Sequence, residues 1–510
     1  MQFSRRLAAL VASAIIPLAT ACAPRATPAA TSSQATSTGD DPAARTIVRD
    51  AIRAMGGEDR LRAIHSVHLT IMGSEAHIEG AERPEAPWQV NHFTFEDWLD
   101  YQRGAWRKDV QAMALDGGTG QWRKFSVIAV DGVAAVLSDG KARRGGLVHV
   151  GDGAEHLLDQ PYRLALAALD APELRRDPDA SVAGEPHQVV SFHRAGMSIR
   201  LWIDARAHRL NAAEIDHTLP EDVFWRIDGD VHDRLEFQRW TLDPSGVWFA
   251  REYDRVREGI PYDSLLVTGV EVNAVAPDSF AIADDIRAAF RAEARSLGSS
   301  PGPGERPIEE VAPGVWFAPA VRNALLIGQP GGGFLVDAPI SEVYVGRALD
   351  ELERRFGAAA AAVILSNADR PALSGVREAA ARGVAVRALD ANAGFVDGLL
   401  RAPHALAPDA LARSGRQSTV EPVATRTVLG SGATRAVLIP MRGAMNPHTL
   451  LVWLPGPRLL WTADALGSDP GADPSRLDEM ANAIAREHLD VERIVGAQLG
   501  PTRWADLRHG

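Results

Sequence analysis

The chain has a single cysteine, Cys22. A lone thiol excludes an intramolecular disulfide and any Cys-based zinc site. Lysine is almost missing as well: Lys108, Lys124 and Lys141 stand against a large arginine complement. Basic charge is also outweighed, with a net charge of −12 over 510 residues, which argues against a nucleic-acid surface and for an acidic globular protein. The arginine bias reads as the mark of a GC-rich genome rather than of a selected surface. Beyond the N-terminus no run is long and apolar enough to span a bilayer. No internal repeat is evident in either half. What is present is a 46% hydrophobic chain with mixed charge, the composition of folded protein at a length that suggests two domains.

The cysteine's position carries information. Met1 to Arg6 is basic, and Leu7 to Leu18 is apolar but short, the pattern of a signal peptide over residues 1–21. Leu18-Ala19-Thr20-Ala21-Cys22 then resembles a bacterial lipobox, which implies cleavage before Cys22 and lipidation of its thiol. The alternative is an ordinary Ala-x-Ala site with an incidental cysteine. Residues 22–43 read as a low-complexity tether of Ala, Thr, Ser and Pro. The first reading implies a lipid-anchored, periplasm-facing protein of the bacterial cell envelope, at the outer membrane, whose partner is the membrane itself. No nucleic-acid partner is expected.

Order is expected from Asp41-Pro42, an N-cap followed by proline at the first helical position. That helix should bury Ile47, Ile52 and Met55 and stop at Gly56-Gly57. From about residue 64 to 280 the period is two: Val67, Leu69 and Ile71 alternate with His68, Thr70 and Met72, and Ile199, Leu201 and Ile203 with Arg200, Trp202 and Asp204. Such alternation predicts antiparallel sheet with one buried face. One further helix is expected near 161–171. Asp228-Gly229-Asp230-Val231-His232-Asp233 is rich in metal-ligand types but lacks the calcium-loop pattern, and it reads as a solvated turn. Residues 293–307 are the clearest linker. After it, short strands alternate with helices: Val315–Phe317, Ala324–Ile327, Phe334–Val336, a helix from Ser341, Ala362–Leu365, a helix from Ser374, then Val384–Val386. This is an α/β layer pattern. Gly331-Gly332-Gly333 reads as a hairpin turn, since a strand follows it and not a helix.

The helix followed by a long meander over 44–292, with Trp202–Leu210 and Val272–Phe280 as its best-matching phrases, resembles the half-barrel of the LolA/LolB lipoprotein carriers. That resemblance implies an antiparallel β half-barrel with helices whose apolar side could hold an acyl chain. The other reading is that the sheet packs on its own helix or on the second domain.

Residues 308–510 resemble the metallo-β-lactamase superfamily. The resemblance rests on Ala312-Pro313-Gly314-Val315-Trp316-Phe317, Gly333-Phe334-Leu335-Val336-Asp337-Ala338-Pro339, and Val363–Gly375 where the T-H-x-H-x-D-H-x-G-G loop belongs. Ala391-Asn392 and Ala402–Asp409 match a subgroup with a long Asn-containing helix. Asn446-Pro447-His448 through Pro455, then Leu459 to Ala465, match the H-x-x-x-h-h-v-x-l-P and l-l-x-x-x-D segments. The resemblance implies an αββα sandwich and, in an intact member, two zinc ions activating a hydroxide.

Laid on the motif, the ligand positions fall on Asn367, Asp369, Pro371 and Ala372. Pro371 and Ala372 cannot donate to a metal, and the last expected ligand falls on Leu499. His448, Asp464 and, as a substitute, Asp369 remain. His509-Gly510 lies beyond an expected terminal helix, Thr502–Arg508, and does not restore the missing ligand. The missing donors argue against a dinuclear site. Two readings stay open. One is a mononuclear site of Asp369, His448 and Asp464 suited to one divalent metal: zinc, iron or manganese. The other is a metal-free pocket in which His448 and Asp464 hydrogen-bond each other. The corresponding functions are a non-catalytic binding or scaffold lipoprotein for an apolar ligand or envelope protein, a metal-dependent hydrolase, or a lipid carrier acting through the first domain.

Overall fold

The computed structural model describes residues 41–507 apart from 79–82, 115–120 and 298–305. Cys22 with its leader and tether, much of the 293–307 linker, and His509-Gly510 lie outside the described residues.

Asp41 caps the first helix, Pro42–Met55, its side chain accepting from the Ala43 N–H at 2.8 Å. Ile47, Ile52 and Met55 are buried, and Gly56 ends the helix at φ 137°, open only to glycine. Asp41→Ala is expected to cost about 1 kcal/mol of stability in urea unfolding, the usual value of a side-chain cap.

The alternating sequence forms a single 13-stranded antiparallel sheet, which runs from the edge strand Lys141–Arg144 to the edge strand Leu174–Val182. It has two free edges, so it is an open sheet rather than a barrel. Four described helices besides the first accompany it: Glu58–Arg62, Leu147–Leu158, Pro161–Asp170 and Asp284–Glu293. The sequence pattern revealed one of these. Leu147–Leu158 has no side-chain cap, and its Gly153 lies where a Cβ would meet Trp106 and Ala129 at 3.2 Å. Tertiary packing decides that helix, not a local signal.

The buried face of the sheet is covered by the chain itself. Ile47, Val48 and Ile52 of the first helix and Leu164 and Ala168 of Pro161–Asp170 share one core with Ile199, Leu201, Leu235 and Phe237. One end of the same face is ionic: Asp233 pairs with Arg257 at 2.7 Å and Arg255 at 3.2 Å, and Arg255 with Asp159 at 2.5 Å. On this face helices and a buried charge network pack against the sheet.

Beyond residue 308 two sheets stack. Seven strands, Glu309–Ala312 to Val420–Val423, form one, and its last four strands run parallel. Six strands, Thr427–Leu429 to Thr502–Arg503, form the other. Val315, Leu325, Val336 and Ile364 face Leu438, Leu450, Val452 and Trp461 between them. Helix Glu342–Phe356, capped by Ser341 as predicted, covers the outer face of the first sheet. Helix Pro474–Arg486 covers the second. The layers are therefore helix, sheet, sheet, helix.

Local boundaries shift in two places. The helix expected from Ser374 is split into Arg370–Leu373 and Val376–Ala381. The expected terminal helix begins as strand Thr502–Arg503, with only Trp504–Leu507 helical. No described helix is long and apolar enough to cross a membrane.

Candidate functional site

At the strand ends where the two stacked sheets meet, a cavity of about 140 Å³ is lined by Arg322, Asn367, Asp369, Asn446, His448, Asp464 and Gln498, among others. Its lining is polar and its residues come from several loops. The expected metal set, Asp369, His448 and Asp464, meets in this one cavity, together with Asn367 from among the positions expected to have no ligand.

Arg322, which sequence analysis passed over, sits among them. Its guanidinium pairs with Asp369 at 2.7 Å and with Asp464 at 2.5 Å. The loop that carries it is pinned by the next residue. Asn323 donates from its backbone N–H to the Ala497 carbonyl at 2.7 Å and from its amide to the Gly496 carbonyl at 3.0 Å. Burial alone would lower the Arg322 pKa; the Asp464 and Asp369 charges outweigh it and raise it. A planar fork with two faces of donors is what lets one side chain bridge two carboxylates.

Asp464 is saturated. Besides Arg322, it accepts from the Asn367 amide at 2.6 Å and from the Gln498 amide at 3.3 Å. Asn367 turns its own oxygen inward to the Asp369 backbone N–H at 3.1 Å. The residue before Asp464, Ala463, sits at φ 53°, a strained conformation for a residue with a Cβ.

His448 is held apart from this group. Its Nδ1 is 2.6 Å from Asn392 Oδ1, and the Asn392 amide returns a bond to the His448 carbonyl at 2.9 Å. Its Nε2 faces Glu85, from the first domain, at 3.2 Å. The expected His448–Asp464 hydrogen bond is therefore not made: both partners are committed elsewhere.

The other positions onto which the motif was laid, Pro371, Ala372 and Leu499, are part of the framework. Pro371 and Ala372 are buried, and their carbonyls accept from Ile340 and Ala338 N–H at 3.0 Å each. Leu499 joins the apolar core with Leu460, Met480 and Trp504. Its neighbour Gln498 reaches the pocket in its place.

Beneath the pocket lies Asp337, fully buried at φ 64°. It accepts from the Ser366 N–H and hydroxyl at 2.7 Å each, and the Trp461 indole donates to that hydroxyl at 3.1 Å. Burial pushes its carboxyl up to about 7, against the Ser366 hydrogen bonds.

No family profile and no curated protein matches the chain. Solved structures similar to it are metallo-β-lactamases. One from Pontibacter korlensis is 14% identical over 40% of this chain and 95% of its own, with a TM-score of 0.32. One from Erythrobacter litoralis is 13% identical over 39% and 92%, with a TM-score of 0.31. One from Hirschia baltica is 14% identical over 40% and 95%, with a TM-score of 0.30. At these values the likeness assigns no chemistry.

The donor set answers the metal question on its own terms. A divalent ion needs convergent lone pairs. Here the carboxylate oxygens of Asp369 and Asp464 that face the pocket hold a guanidinium, the Asn367 oxygen points away, and His448 is engaged on both nitrogens. Among the described residues no group of three or more His, Cys, Asp or Glu could hold a metal ion. The residues present do not fit one.

The Asp228–Asp233 segment also differs from expectation. It is not a solvated turn: Asp228 and Asp233 are buried, and Asp228 pairs with Arg370, the residue after Asp369, at 3.1 Å. No local signal in either stretch marked Arg322, Glu85 or Asp228 as site residues, because each acts across a fold-level contact.

Proposed function

We propose that the chain is a non-catalytic binding or scaffold protein of the cell envelope. Its second domain keeps a metallo-β-lactamase-type αββα frame around a pocket that works without metal. The observation that carries this reading is the Arg322 bridge to Asp369 and Asp464. It places a fixed positive charge between the two carboxylates that a metal would need, and a divalent cation beside it would be repelled. The layered cores and the quoted sequence phrases support the frame. The Cys22 context supports the envelope location and the lipid anchor, with an apolar ligand or an envelope protein as partner.

The test is metal analysis of the purified full chain, grown with zinc, iron and manganese supplements. Metal well below one equivalent is expected, with no change in His448→Ala. Stoichiometric metal that disappears in His448→Ala overturns the reading and restores the mononuclear hydrolase. For location, Cys22→Ser is expected to move the protein from the membrane fraction to the soluble fraction. Retention in the membrane would sink the anchor.

A further inference from the structure

The excursion between strands Leu210–His217 and Val231–Gln238 belongs to the first domain but is built into the second. Ile227, fully buried, packs in the core of Leu326, Leu335, Tyr344 and Leu373. The Asp230 carboxylate accepts from the Ala405 and Leu406 N–H groups at 2.8 and 2.9 Å. The Ser374 hydroxyl donates to the Val223 carbonyl at 2.8 Å, and Arg226 pairs with Glu342 at 2.5 Å. Gly229, at φ 75°, sits where a Cβ would be 2.3 Å from the His404 ring, so only glycine passes here.

We infer that this plug, residues 219–230, is the element by which the first domain sets the position of the pocket loop Ser366–Ser374. Asp228 holds Arg370 through two bonds, at 3.1 and 3.2 Å, with both side chains nearly buried. Arg370 is covalently next to Asp369, which holds Arg322, which holds Asp464. On the other side, the buried Trp225 ring lies 4.6 Å from the Arg370 guanidinium and 5.4 Å from that of Arg257. Arg257 is bound to Asp233 in the ionic network of the first domain. Trp225 Nε1 is buried without an acceptor, so the indole is held by its faces rather than by its N–H.

The contacts thus run unbroken from the ionic end of the first sheet, through Trp225, Arg370 and Asp369, to the Arg322 bridge. Contiguity alone is not coupling. The element we take to move is the Ser366–Ser374 loop. Its docked state is tied by Ala338 N–H to the Ala372 carbonyl, Ile340 N–H to the Pro371 carbonyl and Gly375 N–H to the Ala338 carbonyl. Without Asp228, Arg370 is a buried cation with no carboxylate partner, and the loop relieves it by moving toward water. Asp369 leaves Arg322 with it.

The test uses the full chain and two readouts. Asp228→Asn is expected to speed hydrogen exchange of the Ala338, Ile340 and Gly375 amides by about tenfold or more. Exchange in strand Leu450–Leu454 should be unchanged. Arg322 should become several-fold more reactive to phenylglyoxal, read by mass spectrometry. Trp225→Leu should do the same, and Arg234→Gln, on the other face of the strand that carries Asp233, should do neither. The inference is overturned if Asp228→Asn leaves either readout unmoved, or if all second-domain amides accelerate together, since that is general destabilisation. Should Trp225→Leu fail to fold, Asp228→Asn alone decides.

Discussion

Replacing Arg322 with methionine is expected to lower stability by about 3–5 kcal/mol, the cost of stripping one partner from a buried ion pair. The Asp369 side chain is 6% exposed and that of Asp464 is 22% exposed. Without the guanidinium, two like charges face each other in a small cavity with little water to screen them. Arg322→Lys should recover only part, because an ammonium lacks the fork that reaches both carboxylates at once. The triple variant Arg322→Met with Asp369→Asn and Asp464→Asn should regain most of the loss, since it removes the charges along with their partner. Urea unfolding of the full chain measures all three. A loss under about 1 kcal/mol in Arg322→Met would mean that the bridge behaves like an ordinary surface pair, and the structural role given to Arg322 would fall.

The second large effect belongs to Asp337. Its carboxyl is pushed up to about 7 by burial, against an ordinary value near 4. The folded state therefore binds the proton more tightly than the unfolded chain does. Stability from this group is fully present below about pH 4 and is lost as pH rises to about 7, by something on the order of 4 kcal/mol. Asp337→Asn removes the titration while keeping the geometry. The amide oxygen still accepts from the Ser366 N–H, and the amide N–H can donate to the Ser366 hydroxyl, which now donates to Asp337. Asp263, pushed up to about 6 by burial, adds a slope of the same sign. Asp233, held low by Arg255 and Arg257 against the burial that would raise it, adds one of opposite sign. The difference between wild type and Asp337→Asn isolates the one group. That difference, followed by urea unfolding from pH 4.5 to pH 8, should widen in favour of the variant as pH rises. Two parallel curves would mean that Asp337 is not charged at the expense of folding.

Arg322 shows why the candidate site was only half legible. Asn367, Asp369, His448 and Asp464 could be found because the resemblance to the metallo-β-lactamase motif points to those positions. What they do there could not be found that way. The arginine that binds two of them lies 47 residues before Asp369 and 142 before Asp464, in a loop with no motif. The general arginine richness of the chain made it look ordinary. Glu85 and Asp228 were hidden for a like reason: their partners, His448 and Arg370, lie far away in the chain. The misreading of Asp228–Asp233 as a solvated turn followed from composition, which reports residue type but not what packs above it.

The sequence by itself determined the local order of the chain. Period-two alternation dictated the antiparallel strands, Asp41 and Ser341 dictated helix starts, and the lack of metal-donating side chains at Pro371, Ala372 and Leu499 was written in the residues. These depend on neighbours a few positions away, where backbone geometry leaves few choices. Only the tertiary structure decided that Arg322 holds Asp369 and Asp464, that Glu85 rather than Asp464 meets His448, and that Asp228 reaches across to Arg370. Such contacts join residues many positions apart, and burial gives them their strength. Charges that water would screen become strongly directional once the fold has removed the water.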